Sequence, residues 1–576
     1  MRAPAFVLLA ALAGASSGAC GSDDPTPCTG ARCGAASSST GDVETCPAGT
    51  RADADGACSD VGWQACGARF VADPSGWDCA PPRPGDTCEG AACAPLGWTE
   101  CPAGFVFEAS GGACRAVVPA DPCPDGTRAA LGETTCQPIG DCTAAFPPAD
   151  ATLFVDDDYG AGDLDAAHFA TIAAAVTAAT ATAGAVIAVE AGTYAEPLAL
   201  TSPVTLRGRC AEQVVLDGAG SAAPGLDVRD AVTVSGVTVR GFSPGAWAQF
   251  GGALILEDSA LVDNETAGIL VSDPGSSAHL GGCALTGNLP AGNTFGQGAA
   301  AGFGGELFLD DSALSDNHEH GVLVTGDGSR AELTRAVIQR TRPRQTTGTL
   351  GLGISVQEGG QLVVADSAIL DNRVAGVSAI SAGSTASLSR TEVARTAIGP
   401  EDGSQIGVGV NAQQGAELTV VETTIAESGQ DGLRGWTGAR LVADRVSVLG
   451  NGTAGVWLED TGTEATLTAS VVRGTVVARV ADSDAASGVL VGNGATLQIE
   501  DRSPRRTSAA GSSSSAVAVW CAPPACSRAA TCRWPAGTTA SASRWSTAPR
   551  WSSPTAPLSA TWRWRCRSPR WAPRPR

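Results

Sequence analysis

Three stretches of this chain repeat one phrase almost letter for letter: DSALVDNETAG at 258–268, DSALSDNHEHG at 311–321 and DSAILDNRVAG at 366–376. Fainter copies lie between them. A leucine opening a short alternating apolar run falls at Leu254, Leu280, Leu307, Leu333, Leu362, Leu388, Leu418, Leu441, Leu467 and Leu497, in steps of 23 to 30 residues. A unit of that size cannot close a core alone, so it must stack on its neighbours and share one continuous core. The chain is expected to be a solenoid.

The content of each unit sets the kind of solenoid. Runs such as AELTRAVI at 331–338 and ATLTASVV at 465–472 alternate apolar with small or polar residues at period two, so they read as strands. Gly, Asn, Asp and Ser punctuate every few residues and leave no room for a helix in each unit. Leucine-rich-repeat spacing is not met. Asn264, Asn317, Asn372 and Asn451 each stand ten residues after their leucine, with Gly268, Gly321, Gly376 and Gly455 four residues further on. A stacked Asn can satisfy buried turn amides, and the Gly is expected to supply a positive φ.

The entry to the repeats carries FVDDDYG at 154–160, FATIAAAV at 169–176, AVIAVEAGTYAEPLAL at 185–200 and VTLRG at 204–208. These segments resemble the start of right-handed parallel β-helix proteins of the pectin-lyase-like superfamily. The resemblance covers about residues 151–501 and implies an all-β fold. It does not imply one reaction, because a shared fold does not fix the chemistry grafted on it. Within 169–189, Phe169, Ile172 and Val176 fall on one helical face before a strand-like run, so a capping helix and a first strand are expected rather than a membrane span.

Residues 1–19 read as an export signal, with Arg2, an apolar core and then small residues up to Cys20. SSGAC followed by GSDD resembles a bacterial lipoprotein processing site, which would make Cys20 an acylated N-terminus; Ser17 departs from the usual Leu, and simple cleavage leaving Cys20 to pair is the alternative. The expected location is the bacterial outer membrane or cell surface, reached through a lipid anchor alone. A linker at 20–45 leads into a cysteine-rich region at 46–143, read as a disulfide-stapled stalk. Thirteen of the 20 cysteines lie from Cys28 to Cys142. Four similar pieces end the pairs Cys46 and Cys58, Cys66 and Cys79, Cys101 and Cys114, and Cys123 and Cys136, and local bridges are expected for Cys46–Cys58 and Cys101–Cys114. Cys142 is left over to pair outside the region. No CxxC pair occurs there, so metal is not expected.

Net charge of −22 argues against nucleic acid, and the chain contains no Lys, which removes lysine-based catalysis. His318 and His320 read as solvated turn residues. After Asp501 the character changes: residues 502–576 hold 13 Arg, seven Trp and no acidic residue, as a shifted reading frame or a disordered basic tail would.

The expected role is binding or structural, toward polysaccharide or cell-surface components, without a cofactor; a lyase or hydrolase acting on acidic glycans, with calcium, is the alternative. Extra residues at 289–298, 341–351 and 396–407 should form a wall on one edge of the solenoid. That wall would offer Phe295 for stacking, Arg342 and Arg344 as carboxylate clamps, and Glu401 and Asp402 as acceptors or cation ligands, with Trp247 and Phe250 extending it.

Overall fold

The computed structural model describes residues 96–108, 112–181, 184–292, 295–344, 348–399, 406–475 and 487–500, with the backbone of short strands on either side. Cys20, Cys46, Cys66, Glu401 and Asp402, and most of 1–95 and 501–576, lie outside the described residues; Cys58 and Cys79 are described as backbone only. The chain divides into two units at Gly62. In the first, Thr50–Ala52 and Cys58–Asp60 pair antiparallel.

The second unit is a parallel β-helix. Each coil contributes one strand to each of three long parallel sheets. Sheet I has 15 strands, its last being Thr496–Glu500; sheet II has 13, from Gly192–Tyr194 to Ala518–Cys521; sheet III has 12, from Leu198–Leu200 to Ser487–Val491. One coil runs Ala253–Glu257, Ala260–Val262 and Ala267–Ser272 through the three sheets in turn. The inward side chains form one continuous core along the whole stack. Its N-terminal end is closed by the helix Ile172–Ala179, with Ile172 and Val176 buried as expected. The Glu196 carboxylate accepts from Ile172 N at 2.7 Å and Ala173 N at 3.0 Å, satisfying amides that a helix start leaves free.

The leucines occupy two inward columns of sheet I rather than one. Leu254, Ala278, Leu307, Ala331, Leu362, Ala386 and Leu418 stack in register, while Leu280, Leu333, Leu388 and Leu467 stand in a second column two residues further along. Leu over Ala lets large and small side chains interdigitate between coils. The repeating unit is thus a pair of coils, which is why the DSA phrase returns only at every second coil.

That phrase is a set of coil-to-coil contacts. Ser259, Ser312 and Ser367 accept from Val237 N, Cys283 N and Ala336 N of the preceding coil. The two aspartates bind arginines of the next coil: Asp311 to Arg335, Asp316 to Arg340, Asp366 to Arg390 and Asp371 to Arg395, at 2.6 to 3.0 Å. The asparagines form the ladder expected of them. Phe242 N donates to Asn264 Oδ1, Asn264 N to Asn288 Oδ1 and Asn288 N to Asn317 Oδ1, each at 3.1 Å, while the Asn amides donate to carbonyls one coil back. The glycine expectation fails. Gly268, Gly321 and Gly376 do not adopt positive φ; a Cβ there would lie 2.6 to 2.7 Å from the carbonyl oxygen of the equivalent glycine in the next coil. Close stacking requires them, and the left-handed residue is Thr266, Glu319 or Val374, two places earlier.

Residues 96–142 are not a stalk. They return along the outside of sheet II, from Gly97, whose amide donates to Ala469 O at 2.9 Å, to Cys142, which is bonded to Cys210. Strands such as Ala313–Ser315 and Ala368–Leu370 carry small or apolar side chains outward as well as inward, so their outer face needs a cover. Trp98, Phe105 and Leu131 pack there. Cys101–Cys114 and Cys123–Cys136 close local loops within this strap, as the spacing predicts for the first. Arg115 binds Glu392 at 2.9 Å, Glu108 at 2.7 Å and Glu427 at 2.7 Å, and the second Glu392 oxygen accepts from Ala116 N. Burial pushes the Glu392 carboxyl up, and Arg115 and the amide pull against it.

Candidate functional site

The three insertions leave the same arch, between sheets II and III. Leu289, Arg342 and Ala397 bridge to Glu265, His318 and Arg373 of the preceding coils, so the insertions lie along one edge as expected. Their residues do not assemble into the expected clamp. Arg344 donates to both oxygens of Glu319, at 2.6 and 3.2 Å, and that carboxylate is only 3% exposed, so the arginine fork is filled from within the fold. Arg342 is exposed and donates to Asp316 at 3.1 Å. Trp247 lies on sheet III, with Nε1 donating to Ser272 Oγ at 2.9 Å. Phe250 is exposed at the next turn, with the Arg229 guanidinium 5.4 Å from its ring centre. Phe295, at positive φ, leads into the strand Gln297–Gly302. The strand of Trp247 stands four strands before Leu352–Gln357, the strand that follows Arg342, or roughly 19 Å at the usual spacing.

His318 and His320 are not solvated. Both are buried; His320 Nδ1 has no hydrogen-bond partner, and burial with the nearby Arg344 pushes its ring down to about 3, so it stays neutral. Among the described residues no group of three His, Cys, Asp or Glu is placed to hold a metal ion. The Cys283 thiol is buried and pushed up to about 12, which leaves it unreactive.

A different cluster stands out on the outer face of sheet III. Ser378, Asn411, Arg434 and Trp457 occupy one outward column on four consecutive coils. Ser378 and Asn411 are buried despite facing outward, and Asn411 Nδ2 donates to Ser378 Oγ at 3.0 Å. Arg434 lies between two indoles, 5.0 Å from the ring centre of Trp436 and 4.8 Å from that of Trp457. Asp431, fully buried at the start of the same strand, approaches Arg434 at 3.8 Å, close enough for charge pairing but too far for a hydrogen bond. Burial pushes the Asp431 carboxyl up to about 6, against the pull of Arg434 and of the Ala454 amide.

Five buried polar atoms of this cluster have no partner: both Asp431 oxygens, Asn411 Oδ1, Arg434 Nε and Trp436 Nε1. Buried polar groups are nearly always paired, so such a concentration is unusual. Residue-level reading missed the cluster, yet a signal existed. Between 151 and 501 the chain has three tryptophans, Trp247, Trp436 and Trp457, and all three lie on sheet III.

Residues 225–393 match the family described as right handed beta helix region. No curated protein matches the sequence. Among solved structures, the chain is similar to pectate lyase Pel9A, at 13% identity over 58% of this chain and 80% of that one, with a TM-score of 0.30. It is also similar to the catalytic unit of the thermostable GH87 alpha-1,3-glucanase from Streptomyces thermodiastaticus strain HF3-3, at 16% identity over 60% and 66% of the two chains, with a TM-score of 0.38. The Agl-KA catalytic domain matches at 12% identity over 62% and 69%, with a TM-score of 0.36.

Proposed function

We propose that this right-handed parallel β-helix is an exported, surface-anchored protein that binds saccharide on the outer face of sheet III, around Arg434. The Arg434 guanidinium carries the reading: it is partly exposed, lies between two indoles, and stands too far from Asp431 for a hydrogen bond. A sugar hydroxyl is both a donor and a two-fold acceptor, so it can accept from that guanidinium. The half-buried indoles of Trp436 and Trp457 add apolar faces with a polar handle, the combination that grips an amphipathic ring. Export is supported by the signal-like residues 1–19 and by three disulfides, which persist in oxidising compartments. The lipid anchor rests on Cys20 and its neighbours alone.

A lyase or hydrolase is the second reading. One observation favours it: Asp431 holds a proton into the range near neutrality, where a general acid or base works. The cluster's described residues supply one carboxylate, whereas paired-acid hydrolysis needs two, so binding is preferred. A glycan array on the full chain, with mass spectrometry of every hit, separates the readings. Retention of intact glycan that Trp457→Ala abolishes supports a binding site; product release with Asp431 required supports catalysis; no retained glycan refutes both.

A further inference from the structure

The edge between sheets I and II carries a row of acids answered by arginines of the next coil. Asp311 binds Arg335, Asp366 binds Arg390 and Glu422 binds Arg445, at 2.6 to 2.9 Å. The three arginines share a left-handed backbone, with φ of 53°, 44° and 51°. Asp258 belongs to the same row: its amide donates to Gly281 O, as those of Asp311 and Asp366 donate to Thr334 O and Ser389 O. The place of its arginine is therefore held by Gly282, at φ 64°, which has no side chain to offer.

The strap brings an arginine to that place. Arg128 Nη2 lies 3.8 Å, and Asp258 Oδ1 2.7 Å, from the point where a Gly282 Cβ would stand. Arg128 Nε and Nη1 are buried without a hydrogen-bond partner, a costly state for a guanidinium that a neighbouring carboxylate relieves. The strap also turns directly over the acid, since a Cβ on Gly140 would lie 3.2 Å from that of Asp258. We infer that Arg128 pairs with Asp258, and that the vacancy at Gly282 is the socket that sets where the strap lies along sheet II. Apolar contact cannot set that register. The column beneath the strap reads Ala260, Ala284, Ala313, Val337 and Ala368 on successive coils, so a strap displaced by two coils would meet much the same surface. Its Arg128, however, would then reach Asp311 with Arg335 already in place, and like charges would reject it. Arg115 on Glu392 marks the other end of the seat.

Hydrogen exchange of the full chain, followed by mass spectrometry, reads the seat through residues 120–142. The measurement is repeated with Cys142→Ser, so that the bridge to Cys210 does not hold the segment by itself. Asp258→Asn and Arg128→Gln should each speed exchange there by about fivefold, the scale of a partly exposed ion pair. The double variant should exchange no faster than either single one, as two halves of one contact require. Gly282→Arg tests the socket from the opposite side. Arginine is accepted at the same backbone in Arg335, Arg390 and Arg445, so this variant should answer Asp258 from within the coil and displace Arg128. Exchange in 120–142 should rise while the strand Ala284–Thr286 stays protected. Exchange in 120–142 of Gly282→Arg unchanged from the parent chain, or single-variant effects that multiply in the double variant, would overturn the inference. Should Gly282→Arg loosen Ala284–Thr286 as well, the Asp258 and Arg128 variants decide alone.

Discussion

Sheets II and III run the same length of the β-helix and turn opposite fates outward. The outer face of sheet II is covered by the chain's own residues 96–142, and its charges are matched: Glu392 meets Arg115 and the Ala116 amide. At the C-terminal coils, the outer face of sheet III carries Asp431 and Arg434 at a distance too long for a hydrogen bond, with five buried polar atoms unanswered. A solenoid repeats its inner contacts from coil to coil, but each outer face is free to differ. One here is held under a strap of the same chain, and the other carries a loosely matched charge pair.

The largest expected effect tests the covered side. Arg115→Ala leaves Glu392 buried without its cation, which should cost about 3–5 kcal/mol in urea unfolding. A loss below about 1 kcal/mol would mean that the strap rests on sheet II without being held by this pair.

Asp431 predicts a pH dependence of opposite sign from the usual paired carboxylate. The Asp431 carboxyl is raised from 3.8 to about 6, so the folded state binds its proton more tightly than the unfolded chain. The resulting stabilisation is full below pH 4 and is lost as pH rises through 6, by roughly 3 kcal/mol on the linkage relation. Unfolding free energies of the full chain at pH 4 to 7.5 should show this slope as a difference from Asp431→Asn. Identical curves for the two proteins would show Asp431 to be partnered in solution.

Two smaller effects sharpen the contrast. Trp457→Ala should change stability by less than about 1 kcal/mol, since the indole is half-buried on an outer face, yet it should remove glycan binding. Arg342→Ala should change stability by under about 0.5 kcal/mol, because its side chain is 55% exposed and its ion pair with Asp316 is screened by solvent. A larger change at Arg342 would mean that the arch is held together by that pair, and the insertion edge would regain interest as a built site.

Much of this was legible in the sequence, at the level of what one coil says to the next. The Asn ladder, the capping helix at Ile172–Ala179 and the placement of three insertions on one edge follow from residues that recur at fixed spacing. The Asp–Arg pairs could have been read as well: Asp311 and Asp316 precede Arg335 and Arg340 by 24 residues, the length of a short coil. The leucine period misled because Leu and Ala alternate in one column, so the next leucine in sequence often belongs to the neighbouring column. The glycines misled because close stacking and positive φ select the same residue.

The amino-acid sequence by itself determined that the chain stacks into a solenoid of strands with a polar ladder inside, because periodic neighbours must bury periodic faces. Only the tertiary structure decided which outer face the strap covers and which carries the Arg434 cluster. The contacts that settle it, such as Arg115 with Glu392, join residues 277 apart, and Asn411 meets Ser378 across a coil enlarged by an insertion. Such pairings leave no periodic trace, since they depend on where a folded segment comes to rest on a surface that exists only once the coils have stacked.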